Sequence, residues 1–425
     1  MKAMTRKKTP QTKAFRIKPL VVLGSGVSLP TFKDAGSVTH LTECLFHEPW
    51  ACNSSGEWHP RSAFVTEDTP PCQEFLRRLR RYVEDYYSKQ RGFAANYEDW
   101  FFLIEQMGEE MGWGGNAAVQ PFRQAMNTIC ADLKGPCKIV TGDPFRSLIA
   151  DTLVFIQSVI AHELSTRNEP VGLTLLKGLA GLPGAEPLTV CSLNHDLLVE
   201  RFFKTENIKF TDGFPEEHEN GVRYFNRAEF ARPRVKARLL KLHGSINWWA
   251  FSQSNGDFSD TRIGIRALPL EDCRTRSGKR LWNTDPVPHF LTGSENKLAA
   301  YQSGIFLAQM REFDRALDEH ELIVMSGYGW GDSGVNRRLK SWLAENEDRQ
   351  LIVLHENTKQ LRQYKPLLHS FARLRESKKL ILIRKWLCDV DGEHFCRRLE
   401  KRAGLVSERA FVFRRRTSSK KNSPR

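Results

Sequence analysis

Short apolar runs, each closed by polar or glycine-rich residues, punctuate this chain. They fall at residues 20–23, 188–193, 238–242, 321–327, 351–354 and 379–384. Most of them run on without polar alternation, which suits strands buried on both faces, as in a parallel sheet. Elsewhere the apolar positions recur at helical spacing. Phe75, Leu76, Leu79 and Val83 mark a helix over 72–90, and further patterns cover 120–133, 144–164, 197–203 and an amphipathic stretch over 298–317. Asn96 is the expected N-cap of a helix over 97–104, with Glu98 and Asp99 at its positive end. Asp332 or Ser333 would cap another, with Val335, Leu339 and Trp342 along one side.

Strands alternating with helices predict an α/β fold: a Rossmann-like, doubly wound parallel sheet of about six strands. Residues 31–187 carry no strong strand signal apart from a short segment near 63–65, so about 60–185 read as a large, mostly helical insertion. Residues 250–290 are polar and broken by Pro and Gly, and read as a lid-like excursion. The sheet domain thus spans 19–400, between a disordered basic lead over 1–18 and a basic flexible tail over 401–425.

Composition changes the picture in two respects. The formal net charge of +14 implies attraction to anions: a nucleotide, a nucleic acid or an acidic partner. The competing reading is solvated faces and tails, as for Arg77, Arg78, Arg80 and Arg81 on the helix over 72–90. Nine cysteines, an odd number without any C-x-x-C, argue for reduced structural thiols and a cytoplasmic setting. No apolar run approaches membrane-spanning length, and the basic start is not followed by a signal-peptide core. Cys44, His47, Cys52 and His59 have no spacing of a common zinc site, so no metal is expected.

Candidate chemistry collects where the strands end. Gly24-Ser25-Gly26, followed by Ser28, turns the chain with almost no side chain in the way, which suits a phosphate against bare N–H groups. Leu29 stands where a dehydrogenase fingerprint wants its third glycine. The later runs end in Asn194-His195-Asp196, His243-Gly244-Ser245, Gly327-Tyr328-Gly329 and Glu356-Asn357. In doubly wound sheets ligands bind outside the carboxyl ends of the strands. Each residue also has a structural reading: His243 as a buried strand-end histidine, Asn194, Asp196 and Asp332 as turn or cap residues, Trp248 and Trp249 as core or lid packing.

The set Gly24-Ser-Gly-Val-Ser28, Leu193-Asn-His-Asp196, Leu242-His-Gly-Ser245 and Gly327-Tyr-Gly-Trp-Gly-Asp-Ser-Gly-Val-Asn336 resembles the sirtuin-like (silent-information-regulator) family. It looks most like that family's bacterial antiphage NAD-hydrolase branch, over about 19–360, and Asn96-Tyr-Glu-Asp-Trp100 resembles a motif of the branch's helical part. Two features depart from the protein-deacylating sirtuins. The paired cysteines of their zinc ribbon are missing, and Leu29-Pro-Thr-Phe-Lys33 replaces their Gly-Ile-Pro-Asp-Phe-Arg continuation. Both count against acyl-lysine chemistry.

The resemblance implies cleavage of the nicotinamide–ribose bond of NAD, without a metal. It implies His243 as the base, Asn194 orienting water and ribose, and Asp196 fixing the loop or the nicotinamide ribose. Gly24, Ser25, Gly26 and Ser28 would cradle the pyrophosphate. Gly327, Tyr328 and Asp332 would line the ribose-phosphate side, and Glu356 would accept from the adenosine ribose. An NAD-depleting effector must be kept quiet until triggered, so the expectation includes a homo-oligomer or a co-encoded partner such as a HerA-like ATPase. Three other readings stand beside this one. The first is a non-catalytic module that senses NAD or ADP-ribose and recruits nucleic acid or a partner; the others are a Rossmann oxidoreductase, disfavoured by the broken glycine fingerprint, and a nucleic-acid-acting protein.

Overall fold

The computed structural model describes residues 18–32, 37–47, 49–52, 58–60, 69–91, 94–108, 117–133, 143–166, 169–182, 187–252, 260–275, 277–293, 297–357 and 374–404. Its strands, in chain order, are β1 (Pro19–Leu23), β2 (Trp50–Cys52), β3 (Trp58–Pro60), β4 (Leu188–Ser192), β5 (Phe210–Thr211), β6 (Val222–Tyr224) and β7 (Ala237–Lys241). They continue with β8 (Trp249–Ser252), β9 (Arg262–Arg266), β10 (Trp282–Asn283), β11 (Leu322–Ser326), β12 (Gln350–Leu354) and β13 (Leu380–Ile383). Seven of them form one parallel sheet in the order β13-β12-β11-β1-β4-β7-β5. Numbered among themselves, the six expected strands take the Rossmann order 3-2-1-4-5-6, with the strand order reversing beside β1. The seventh, β5, is a two-residue edge strand with no sequence signal of its own.

Burial on both faces explains the unbroken apolar runs. Along β1, Val21 and Leu23 join the core under one helical layer, while Leu20 and Val22 join the core under the other. Strand β11 alternates likewise, with Leu322 and Val324 on one side and Ile323 and Met325 on the other. Each such side chain withdrawn from water contributes about 1.5–3 kcal/mol before entropy is counted.

The first layer takes in the helices of the stretch over about 60–185 and others ahead of it. After the single-turn α1 (Leu29–Phe32) it contains α2 (Val38–His47), α3 (Pro71–Arg91), α4 (Tyr97–Gly108), α5 (Gln120–Ile129), α6 (Pro144–Ser165) and α7 (Thr174–Ala180). Asn96 caps α4 as expected, its Oδ1 accepting from the Glu98 N–H at 2.9 Å. The same layer holds the β2–β3 hairpin, a strand pair that the periodicity did not reveal. The segment at 63–65 lies outside the described residues. Helix α6 is the hub of the layer and qualifies the expectation about membrane-length segments, because by length and composition it could cross a bilayer. Its Phe155, Ile156, Val159 and Ile160 are buried in the core beneath the insertion.

The opposite face carries α10 (Gly304–Glu319) and α11 (Ser333–Glu345), with the short α9 (Lys297–Ala300) preceding α10, while α8 (Leu198–Thr205), following β4, packs into the core of the first layer. The helix expected over 298–317 is therefore two, interrupted at Tyr301, Gln302 and Ser303, with Gly304 at φ +55°. Within the expected excursion, β8, β9 and β10 join β6 in a four-stranded antiparallel sheet of order β10-β8-β9-β6.

At the end of α10, His320 is buried, with Nδ1 2.6 Å from the Ala316 carbonyl and Nε2 without a partner. Burial pushes its pKa down to about 4. The unfolded chain then binds this proton below ~6.5 while the fold refuses it until about pH 4, so stability falls as pH drops through that window. The loss by pH 4 is about 3 kcal/mol relative to neutral pH, in urea melts comparing wild type with His320→Asn. Parallel pH dependence in the two proteins would contradict it.

Candidate functional site

The sheet's register gathers the motif residues. Ser192 on β4 lies beside Leu23 on one side and Lys241 on the other, and Leu23 is also paired with Ser326. The ladder runs one residue further, with Leu193 N–H donating to Leu23 O and Leu242 N–H to Ser192 O. Asn194 and His243 thus leave neighbouring strands at the same level, and both are buried.

Around Asn194 the groups form one network. Asn194 Nδ2 donates to Ser28 Oγ at 3.0 Å, and that hydroxyl donates to Asp196 Oδ2 at 2.6 Å. Asp196 Oδ1 accepts from the Leu198 N–H at 3.1 Å, which ties the loop to the start of α8. Beneath it, the buried Lys241 donates to the Asp196 carbonyl and lies 3.3 Å from Glu200 Oε1. Ser28 is therefore buried within the Asn194–Asp196 loop, not at an open phosphate cradle. Asn194 Oδ1 is left buried without a partner.

His243 belongs to a second network. Its Nε2 lies 2.8 Å from Asp332 Oδ2, and Tyr301 donates its hydroxyl to the same oxygen. Asp332 Oδ1 accepts from the Val335 N–H at 2.9 Å, capping α11 as expected. Burial pushes the Asp332 carboxyl up, but the hydrogen bond and charge of His243 outweigh it, with Tyr301 and the Val335 N–H adding to them. The net result holds it well below the usual carboxylate range. An ionised carboxylate only accepts, so Nε2 carries the ring proton and Nδ1 is the basic nitrogen. Asp332, expected on the ribose-phosphate side, is in this structure the partner of His243.

The two glycine turns meet directly. Gly24 and Gly26 N–H donate to Ser326 O and Gly327 O, each at 2.9 Å. A Cβ on Gly24 would lie 2.5 Å from Tyr328 Cα, and one on Gly327, at φ +67°, would lie 2.4 Å from Val27 N. Close approach of two backbones is thus what these glycines permit. Their N–H groups are engaged by the neighbouring loop, contrary to the expected bare cradle. Ser25 is exposed, and an added Cβ on Gly329 or Gly331 would meet nothing within 4 Å. Between these two, Trp330 sits at φ +60° with its indole Nε1 buried and unpartnered. Tyr328 donates its hydroxyl toward Asp332 O and Asn336 Oδ1, both at 3.0 Å.

Glu356 stands apart from these networks. It is exposed after β12, four strands from β7 or ~19 Å across the sheet, and accepts from Trp386 Nε1 at 2.8 Å. Trp248 is core, as its structural reading holds, and Trp249 packs under the Arg266 guanidinium. The basic face of α3 is largely neutralised: Arg78 pairs with Glu74 and Asp132, Arg80 with Glu43 and Glu84, and Arg77 and Arg81 with Glu74.

Several side chains at the site had no separable signal in the sequence. Tyr301 lay inside an expected continuous helix, and Lys241 and Lys297 were ordinary basic residues. His195 sat within a motif without a role. Its ring lies 6.1 Å from that of His243 and 4.7 Å from Phe290, with Nδ1 buried and unpartnered. Burial first, then the charges of His243, Lys297 and Lys241, push its pKa well down, so it stays neutral. Lys297 pairs with Glu98 at 2.9 Å, joining the Asn96–Trp100 motif to α9. For a metal, His40, Cys44 and Glu163 bring three ligand atoms within 4.8 Å of one another. His47 instead pairs with Glu43 at 2.7 Å.

Sheet order and strand-end chemistry define the chain as a doubly wound, Rossmann-like α/β protein whose polar groups gather at the carboxyl ends of β1, β4, β7 and β11. No protein-family model and no curated protein matches it. Among solved structures it is similar to one described as "The Structural basis of Sirtuin Substrate Affinity", with a TM-score of 0.32 and 10% identity over 91% of this chain and 93% of that one.

Proposed function

We propose that this chain is an NAD hydrolase that cleaves the nicotinamide–ribose bond, giving nicotinamide and ADP-ribose. One observation carries the reading: Asn194 and His243 end neighbouring strands, and His243 is tied to the buried Asp332 carboxylate at 2.8 Å. Nicotinamide departs neutral from a cationic pyridinium, so the leaving group needs little acid. What remains is to hold the ribose, position a water and accept a proton. His243 takes that proton at Nδ1 from water or a ribose hydroxyl, while Asp332 offsets the charge that develops on the ring. Asn194 uses its unpartnered Oδ1 to accept from the same water or hydroxyl. Asp196, gripped by Ser28 and the Leu198 N–H, fixes the loop that carries Asn194. Exposed Ser25 and the open backbone at Gly329 and Gly331 are assigned to the pyrophosphate. Gly24, Gly26, Gly327 and Tyr328 form the packed floor beneath it, and Glu356 is assigned to the adenosine ribose.

Such an activity drains a cell of NAD, which suits an antiphage effector held quiet until self-assembly or a co-encoded protein, for instance a HerA-like ATPase, releases it. Nucleic acid would then enter through that partner. The test is chromatography of NAD incubated with the purified chain, alone and with its genomic neighbour. Equal amounts of nicotinamide and ADP-ribose are expected in at least one condition. NAD binding without turnover in both conditions would replace hydrolysis by the sensing reading, and neither binding nor turnover would remove both.

A further inference from the structure

We infer that Tyr301 is a positioning residue that fixes the orientation and tautomer of His243 through the carboxylate oxygen they share. This rests on the reading of His243 as the base. The apolar periodicity would carry a helix straight through position 301, yet the chain breaks there, between α9 and α10. The break leaves Tyr301 buried, and its hydroxyl donates to Asp332 Oδ2, the atom that also bonds His243 Nε2. The two rings also lie stacked, with centroids 6.3 Å apart and planes 23° from parallel. Gly334, in the first turn of α11, makes room for the phenol, since a Cβ there would lie 2.9 Å from Tyr301 Cε2.

A carboxylate oxygen has two lone pairs. With Tyr301 on one and His243 on the other, and the Val335 N–H on Oδ1, the Asp332 carboxylate has a donor on each oxygen and is held against rotation. The imidazole is then fixed with Nε2 as donor and Nδ1 as base. Without the hydroxyl, Asp332 turns more freely and no longer holds Nε2 in one orientation.

The test uses the full chain labelled with ¹⁵N and long-range ¹H–¹⁵N correlation of the histidine rings, with His243 assigned by substitution. In the neutral ring, wild type should show the proton on Nε2 alone, and Tyr301→Phe a mixture of both tautomers. Tyr328→Phe removes a hydroxyl from the same cluster, but one that faces the Asp332 carbonyl rather than its carboxylate, and it should keep the wild-type pattern. An unchanged tautomer in Tyr301→Phe overturns the inference. So does a wild-type ring protonated on Nδ1, which needs no variant to observe. In turnover, Tyr301→Phe should lower kcat about tenfold at constant KM. A wild-type protein that releases no nicotinamide either alone or with its genomic neighbour would end the hydrolase reading, while the tautomer comparison would still judge Tyr301.

Discussion

His243→Ala is expected to lower nicotinamide release by about 10²–10⁴-fold, the usual worth of a positioned general base. The fold should survive, because the Asp332 carboxylate keeps two of its donors, the Tyr301 hydroxyl and the Val335 N–H. Binding of NAD should persist as well, since in the proposed mechanism the imidazole acts on the proton of water or ribose and not on the pyrophosphate. Asn194→Ala should fall in the same range, because it removes the amide proposed to orient the attacking oxygen. Turnover of both variants is measured by chromatography and their folding by thermal melts. Wild-type rates in correctly folded His243→Ala and Asn194→Ala would end the catalytic assignment.

Lys241→Met is expected to be the most destabilising of these substitutions, by about 3–5 kcal/mol, because it leaves the buried Glu200 without its counter-charge. Burial already pushes the Glu200 carboxyl up, and Lys241 is the main group opposing that shift. The double variant Lys241→Met/Glu200→Leu should recover most of the loss, since paired removal leaves no charge stranded. Turnover should not recover with stability. The Lys241 ammonium also holds the carbonyl of Asp196, and nothing in the double variant replaces that grip. Denaturant melts and nicotinamide release together separate the two roles. A single variant within about 1 kcal/mol of wild type would mean that the pair does not hold the loop.

The residues that carry these predictions were legible in the sequence to different degrees. Asn194, Asp196 and His243 stood out because each follows an apolar run, and a parallel sheet presents such positions on one rim. Asp332 was legible as a helix cap, and it is one, through the Val335 N–H. Its other oxygen was not legible, because nothing local connects it to a histidine 89 positions away. Gly24 and Gly26 were read correctly as a turn and assigned differently in purpose: the sequence showed that bulk was avoided, but not that the avoided neighbour was the backbone of Gly327. Ser28 likewise looked like a phosphate ligand, and in the fold it links Asn194 to Asp196.

By itself, the order of apolar and polar residues determined the six long parallel strands and most of the helices, the doubly wound class and the rim of the sheet on which the polar strand-end groups gather. Those properties follow from periodicity and from burial on both faces, which are local and repeat along the chain. The tertiary structure decided which strand-end groups touch. It broke the helix at Tyr301, brought that phenol and His243 to one oxygen of Asp332, and seated Lys241 beneath the Asn194 loop. Such contacts depend on distances between segments far apart in sequence, where a side chain's neighbours are set by packing and no longer by its own surroundings in the chain.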